Sequence, residues 1–421
     1  GGDDALNATG FEGMAMYSRF VDARHSVPPF AADWLAGRLE PDNTVAEENY
    51  VQCIEEICRR ESIDVIFPSL DPEVYLFAKN KQRFARQGIL LVVPDADVLR
   101  IPLDKSLTMR TAQRVGFPCP VTFYPASVSD IPQIVAASRP PWIVKPRFTA
   151  HGQHMALAAD ASSLEQAYIE VSEHQGAPII QEYIEGDRRQ NYYLTVNRDG
   201  RILSLLSPRA TRTHHWGSYR VSTRAAVSAS SAPYLDEMRA LVGELGLWGG
   251  YTFQTKIDPR DGVPKLLEIN ARLGPHVWWR NGLGVNEPKI CLQIARGEYQ
   301  TGNLSFREDV LLLDPYFDVF EFYPHLVSAV FEFFKRLLGR DRSAQSGVAG
   351  ASEPRARDLL RIYAKDYLNL KPKVLSPEFS SIWSDPYPCL RAYWFKFRPV
   401  TARYVRRIRD AVRGSASRAT R

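Results

Sequence analysis

The sequence predicts two successive fold classes, an α/β domain with a parallel sheet and then an α+β domain built on antiparallel hairpins. Three observations carry this. Up to about residue 102, short apolar runs alternate with helical periodicity, the pattern of strands joined by crossover helices. From Asp104 the strands come in pairs separated by turn sequences, at 198–200 and at 258–263. The second pair ends in KLLEINARLG (265–274), which sets Glu268, Asn270 and Arg272 at alternate positions.

The opening residues Gly1-Gly2-Asp3-Asp4 look like a loop that has lost its preceding strand, and 14–17 read as a short strand. Residues 45–60 carry Val51, Ile54 and Ile57 at helical spacing, followed by a buried strand at 63–68, a helix over 72–87 and a strand at 89–93. A helix through Arg114 ends at Gly116, with Pro118 and Pro120 beyond it. Strands are expected at 142–145 and 179–184, with a helix at 164–174 between them. A hairpin over 192–206, a helix at 234–245 and a hairpin over 251–270 complete the second part. This places an α/β domain at 1–102, an α+β domain at 103–302 and a C-terminal extension at 303–421. In the extension, 319–338 is aromatic and amphipathic, and 339–358 has the composition of a linker.

A chain of 421 residues is too long for one ordinary core. The formal charge of +5 is mild and does not indicate a nucleic-acid protein, although ten Lys and Arg crowd 391–421 against Asp410 alone. The five cysteines (Cys53, Cys58, Cys119, Cys291, Cys389) are scattered with no C-x-x-C pair, which indicates neither a disulfide framework nor a zinc site. With no signal-like h-region and no spanning apolar run, the expectation is a cytoplasmic protein, at most peripheral to the inner face of a membrane. Tyr393, Trp394 and Phe397 interleave with arginines, and Val405, Ile408 and Val412 form one helical stripe. That pattern fits a helix lying on an anionic surface, and fits better an aromatic segment packed on the body with solvated arginines.

In a strand, residues two apart share a face. Glu268 and Asn270 then offer oxygen donors beside the fixed cation of Arg272, a set that suits a hard metal ion carrying a phosphate. A wet amphipathic edge strand fits this segment alone just as well. Gln254 lies fourteen residues before Glu268, and pairing across the turn would bring the two together. Lys145 ends the apolar strand PWIVKP, a place where lysine needs a reason. Lys105 opens a helix, where a solvated lysine is also common. The loop RFTAHGQH (147–154) has the small residues of a phosphate-covering loop. The strand IIQEYIEGD (179–187) exits through Gln181, Glu182, Tyr183 and Ile184 to a Gly turn, where backbone groups could meet a purine edge.

In this order, the lysine strand, the flexible loop, the QEYI-x-G stretch and then Gln, fourteen residues, Glu-x-Asn-x-Arg resemble the ATP-grasp superfamily. The likeness covers 104 to about 300, and the first hundred residues look like that family's preceding Rossmann-like domain. The Gln-Glu-Asn metal set is most similar to that of carbamoyl phosphate synthetase; biotin carboxylase and the D-alanine–D-alanine ligases have an acid in place of Gln254. The resemblance implies that Lys105 and Lys145 bind ATP phosphates and that Gln181 to Ile184 border the adenine. It implies that Gln254, Glu268 and Asn270 hold two Mg²⁺ ions (Mn²⁺ would serve), and that Arg272 stands beside the transferred phosphoryl. The acidic ribose ligand of some relatives would align with Arg189, with Asp187 its nearest substitute.

That family resemblance further implies a carboxylate–amine ligase passing through an acylphosphate, with small carboxylate and amine substrates and a homodimeric state as expectations. Arg280 and His276, with Trp278 and Trp279 taken as a strand pair, would lie beside the carboxylate, and 211–220 could close over it. Two other readings stay open. One is a bicarbonate-activating, carbamoyl-type carboxylase, and the other is a nucleotide-binding regulator at a membrane.

Overall fold

The computed structural model describes residues 18–30, 42–148, 154–186, 188–216, 219–225, 232–274, 277–298, 304, 306, 307, 310–313, 364, 368 and 373–375, with only the backbone described at 209–216, 219–225 and 373–375. The expected strand at 14–17, most of the C-terminal extension, the basic tail and Cys389 therefore lie outside the described residues. The chain divides into two compact units, one of His25–Thr213 and Gly217–Val310, the other of Gly1–Arg24, His214–Trp216 and Leu311–Arg421. In the second unit, β13 (Leu311–Leu313) pairs in parallel with β14 (Lys373–Leu375). Everything below concerns the first.

Helix α1 (Val45–Glu61) starts on a reciprocal cap: Glu47 N–H donates to Thr44 Oγ1, and Thr44 N–H donates to the Glu47 carboxylate. Strands β1 (Val65–Ile66) and β2 (Leu90–Leu91) pair in parallel, as the alternating pattern predicts. The single helix expected at 72–87 is two, α2 (Asp71–Lys79) and α3 (Lys81–Ala85), broken at Asn80. Asn80 is the reason, because its side-chain amide donates to the Leu76 carbonyl and pairs with Asn43, and such local bonds compete with the helix ladder.

Two short helices meet end to end, α4 (Ala96–Leu103) and α5 (Lys105–Arg114), with Asp104 as N-cap of the second, accepting from Ser106 N–H at 2.8 Å. One antiparallel sheet then runs β3-β6-β4-β5, from β3 (Thr122–Phe123), β4 (Trp142–Lys145), β5 (Ala156–Ala158) and β6 (Ile179–Glu182). Helices α6 (Ile131–Ala137) and α7 (Ala161–Gln175) share its apolar core of Trp142, Val144, Leu164, Val171 and Ile180. The other antiparallel sheet runs β12-β11-β7-β8, from β7 (Tyr192–Val196), β8 (Ile202–Leu206), β11 (Gly249–Ile257) and β12 (Pro264–Asn270). Strands β9 (Arg209–Trp216) and β10 (Tyr219–Ala225) and helix α8 (Leu235–Leu245) lie between β8 and β11 in sequence. One continuous cluster of buried residues joins the first hundred residues to this sheet, from Tyr50, Phe84 and Leu91 through Met109 and Phe117 to Tyr192, Phe253 and Ile269.

After β12 come α9 (Val277–Gly282) and α10 (Glu287–Arg296). Arg280 and Glu287, each 2% exposed, form a buried ion pair between these helices and the sheet. Arg280 Nη2 also donates to Thr195 Oγ1 and to Ser204 Oγ at 2.7 Å, and Thr195 donates to Glu287 at 3.1 Å. This pair forces Gly250: a Cβ there would lie 2.6 Å from Leu273 Cδ2 and 2.7 Å from Glu287 Oε1. Glu287→Ala should leave the guanidinium buried without its counter-ion and cost about 3–5 kcal/mol of stability, read from urea unfolding of the full chain.

Candidate nucleotide and metal site

The register of one hairpin assembles the expected metal donors. Gln254 on β11 stands directly opposite Glu268 on β12, and Thr252 stands opposite Asn270. A β-bulge follows, because Thr255 pairs with Leu266 and so Leu267 is the extra residue. Strict alternation predicts Leu267 in the core beside Ile269 and Ala271. Instead Leu266 is fully buried and Leu267 half-buried, since the bulge reverses the faces upstream of it. Glu268 and Asn270 lie on the downstream side and keep their shared face.

Lys105 and Lys145 arrive from different elements, each only 7% exposed. Lys145 is the last residue of β4 and Lys105 the first of α5. Arg147, just past β4, ties the two together. Its guanidinium bonds to Asp104, with Nε at 3.1 Å from both carboxylate oxygens, and its carbonyl accepts from Lys105 N–H at 3.1 Å. Lys105 Nζ then sits 3.6 Å from Glu268 Oε2. Lys145 Nζ donates to Gln181 Oε1 at 2.7 Å, Gln181 Nε2 donates to Thr122 Oγ1 at 2.9 Å, and Thr122 donates to the Pro120 carbonyl at 2.8 Å. This chain of bonds aims Lys145 before any ligand arrives.

Charge follows from the assembly. Burial pushes the Glu268 carboxyl up, but Lys105, Lys145, Arg272 and Arg189 outweigh it and hold the group below the usual carboxylate range. Burial, reinforced by Lys105, brings the Lys145 ammonium down to about 8. Lys105, Lys145, Arg189 and Arg272 outnumber Glu268 and Asp71, so the site is short of negative charge, which a polyphosphate would supply.

Arg272 does not stand alone. Its Nε and Nη2 lie 3.0 and 3.3 Å from the two oxygens of Asp71, at the start of α2, and Nη2 also donates to Asn270 Oδ1 at 3.2 Å. The stretch after β6 is likewise engaged. Glu182 N–H donates to Val121 O and Tyr183 N–H to Pro141 O, both at 3.0 Å, and the Ile184 carbonyl accepts from Lys256 Nζ. Lys256 also lies 4.8 Å from the Tyr183 ring centre. The Glu182 carboxylate takes Arg260 at 2.8 Å and Lys265 at 3.4 Å. Sequence reading missed Lys256 and Asp71 here. Lys256 carries the signal that marked Lys145, a lysine in an apolar strand two residues beyond Gln254; Asp71 carries no local signal.

Asp187, residues 149–153 of the loop and His276 lie outside the described residues, as do the side chains of 211–220. Trp278 and Trp279 are on α9 and not on a strand. Trp279 is core, edge-on to Tyr193 at 6.5 Å. Arg280, expected beside a substrate carboxylate, is instead consumed by Glu287 in the core.

Two family models match the chain. Residues 40–92 match the PylC-like, N-terminal domain and residues 103–275 match the ATP-grasp domain. The chain carries an ATP-grasp domain. The carbamoyl phosphate synthase large chain of Thermus thermophilus is 24% identical over 251 residues, 55% of this chain and 24% of that one. The D-alanine–D-alanine ligase of Acidovorax ebreus is 24% identical over 220 residues, 49% of this chain and 66% of that one. The chain thus spans about a quarter of the first relative and just under two thirds of the second. A biotin carboxylase–β,γ-ATP complex from Campylobacter jejuni shares the fold at TM-score 0.55 and 16% identity, over 64% of this chain and 63% of that one.

An oxygen-only donor set with one carboxylate fits Mg²⁺ when phosphate oxygens complete the shell. Among the described residues no group of three or more His, Cys, Asp or Glu could hold a metal without that help. The buried Asn270 Nδ2 has no hydrogen-bond partner, a donor suited to a phosphate oxygen. With Lys145 at about 8, MgATP affinity in the ATP-grasp domain should be flat below that pH. Above it, binding must take up a proton, and affinity should weaken by up to roughly tenfold per pH unit. Titration calorimetry across pH 7–9.5 checks this, and Lys145→Met should remove the slope in that window.

Proposed function

We propose that this protein is an ATP-dependent ligase that activates a carboxylate as an acylphosphate and joins it to an amine, releasing ADP and phosphate. The observation that carries the reading is the hairpin register, which sets Gln254, Glu268 and Asn270 on one edge with Lys105 at 3.6 Å from Glu268. Nucleotide binding alone does not need a carboxylate, an amide pair and a neighbouring arginine on one strand edge.

In this reading Lys105 and Lys145 bind the phosphates that are not transferred, and Lys145 is held on line by Gln181. The segment Gln181 to Ile184 and Asp187 border the adenosine. Gln254, Glu268 and Asn270 hold two Mg²⁺ ions, which when bound neutralise the phosphates and polarise the γ-phosphoryl group. A carboxylate oxygen attacks the γ-phosphorus as the bond to the bridging β-γ oxygen breaks, and ADP leaves. Arg272 donates to the phosphoryl oxygens as charge spreads over them. The amine lone pair then attacks the acyl carbon, phosphate departs with the electron pair of the C–O bond, and the amine proton passes to solvent. No protein nucleophile is needed, so the engaged side chains serve position and charge. The division into 1–102, 103–302 and 303–421, a homodimer, and a tail that touches anionic membranes from the cytoplasmic side belong to the same proposal. Among the described residues no helix is long and apolar enough to cross a membrane.

ADP release tests the function. Amino acids or small carboxylates supplied with amines should stimulate it, whereas stimulation by bicarbonate alone would place the enzyme among carboxylases. Glu268→Ala should lower the stimulated rate by roughly a hundredfold or more, since two cations and a triphosphate lose their shared ligand. A folded variant with near-wild-type ADP release would refute the metal assignment.

A further inference from the structure

Asp71 opens α2 just beyond the carboxyl end of β1, in the first helical turn. An aspartate near a helix start ordinarily answers the helix's own N–H groups. Here the N-cap, Leu70, makes no side-chain cap, and both Asp71 oxygens go to Arg272, 201 residues on in the chain. Asp71, in the first helical turn, spends both oxygens on an arginine 201 residues away, and such long-range commitments of a polar group concentrate at functional positions.

Guanidinium donors form rigid forks. Asp71 takes the Nε–Nη2 fork, and Asn270 Oδ1 takes Nη2 from the metal edge at 3.2 Å. Three contacts thus fix the guanidinium plane, with both side chains of the pair mostly buried. Nη1 has no partner among the described residues, so this end of the group is what remains to meet a ligand.

We infer that Asp71 is the positioning residue for Arg272, holding its Nη1 end toward the transferred phosphoryl group. The inference rests on the ligase reading and adds to it a residue outside the ATP-grasp match at 103–275. Through this contact the domain preceding the ATP-grasp domain takes part in phosphoryl transfer. Asp71 lends Arg272 direction and not affinity. Without it the guanidinium is free to settle on bound phosphates in the ground state. Nucleotide binding would then be kept, while the preference for the transition state is lost.

The probe is MgADP, titrated calorimetrically with and without aluminium fluoride, which mimics the phosphoryl group in flight and needs no knowledge of the carboxylate. Wild-type protein should bind MgADP more tightly with fluoroaluminate. Asp71→Asn should keep its MgADP affinity within about threefold and lose the fluoroaluminate tightening by roughly tenfold or more. Asp71→Glu, which keeps the charge and shifts it by one methylene, should lose an intermediate part and supplies the readout if the asparagine variant does not fold. In an Arg272→Gln background Asp71→Asn should change nothing further, because the two act as one unit. Wild-type tightening in the Asp71 variants overturns the inference, as does an equal loss in both backgrounds, which would mark a merely structural role. Wild-type protein that binds MgADP without any tightening overturns the ligase reading itself, and this inference with it.

Discussion

The site depends on the register between β11 and β12. With side chains alternating at period two, a slip of β12 by one residue would turn Glu268 and Asn270 to the core and expose Ile269. The Gln254–Glu268 and Thr252–Asn270 pairings exclude that slip, and the buried Phe253, Ile269 and Ala271 hold the pairing from the other face. The bulge at Leu267 confines irregularity to the side of the hairpin next to Lys265 and the Glu182 cluster. Donor geometry and hydrophobic burial are thus one constraint.

Around that edge the protein concentrates positive charge and spends its hydrogen bonds on direction. Lys105 is fixed through its backbone to Arg147, which is itself fixed by Asp104. Lys145 is fixed through Gln181 and Thr122. An ammonium at such depth is costly, and burial lowers its proton affinity. A hydrogen-bonded surround sustains that cost. Glu268 remains ionised because of these cations.

Much of this was legible in the sequence because the chemistry is written at strand period. Alternation marked Glu268, Asn270 and Arg272, the turn at 258–263 implied that Gln254 would meet them, and an unexplained lysine at a strand end marked Lys145. What alternation could not show was the bulge, which is a property of pairing and not of one strand. Arg280 misled for a related reason: a cation near an expected substrate looks available until its partner Glu287, seven residues on, is seen in the same buried network. Trp278 and Trp279 misled because two adjacent aromatics fit a strand or a helix equally well. The Asp71–Arg272 pair lay beyond reach, since no local pattern joins residues 201 positions apart. The parallel pairing of β1 and β2 followed from alternation, whereas the break at Asn80 needed its contact with Asn43.

A crystal structure of the full chain with magnesium and a non-hydrolysable ATP analogue tests the central claim most directly. The account predicts the phosphates between Lys105 and Lys145, magnesium held by Gln254, Glu268 and Asn270, and Arg272 at the γ-phosphate. A nucleotide seated elsewhere, or metal ions bound without Glu268, would contradict it.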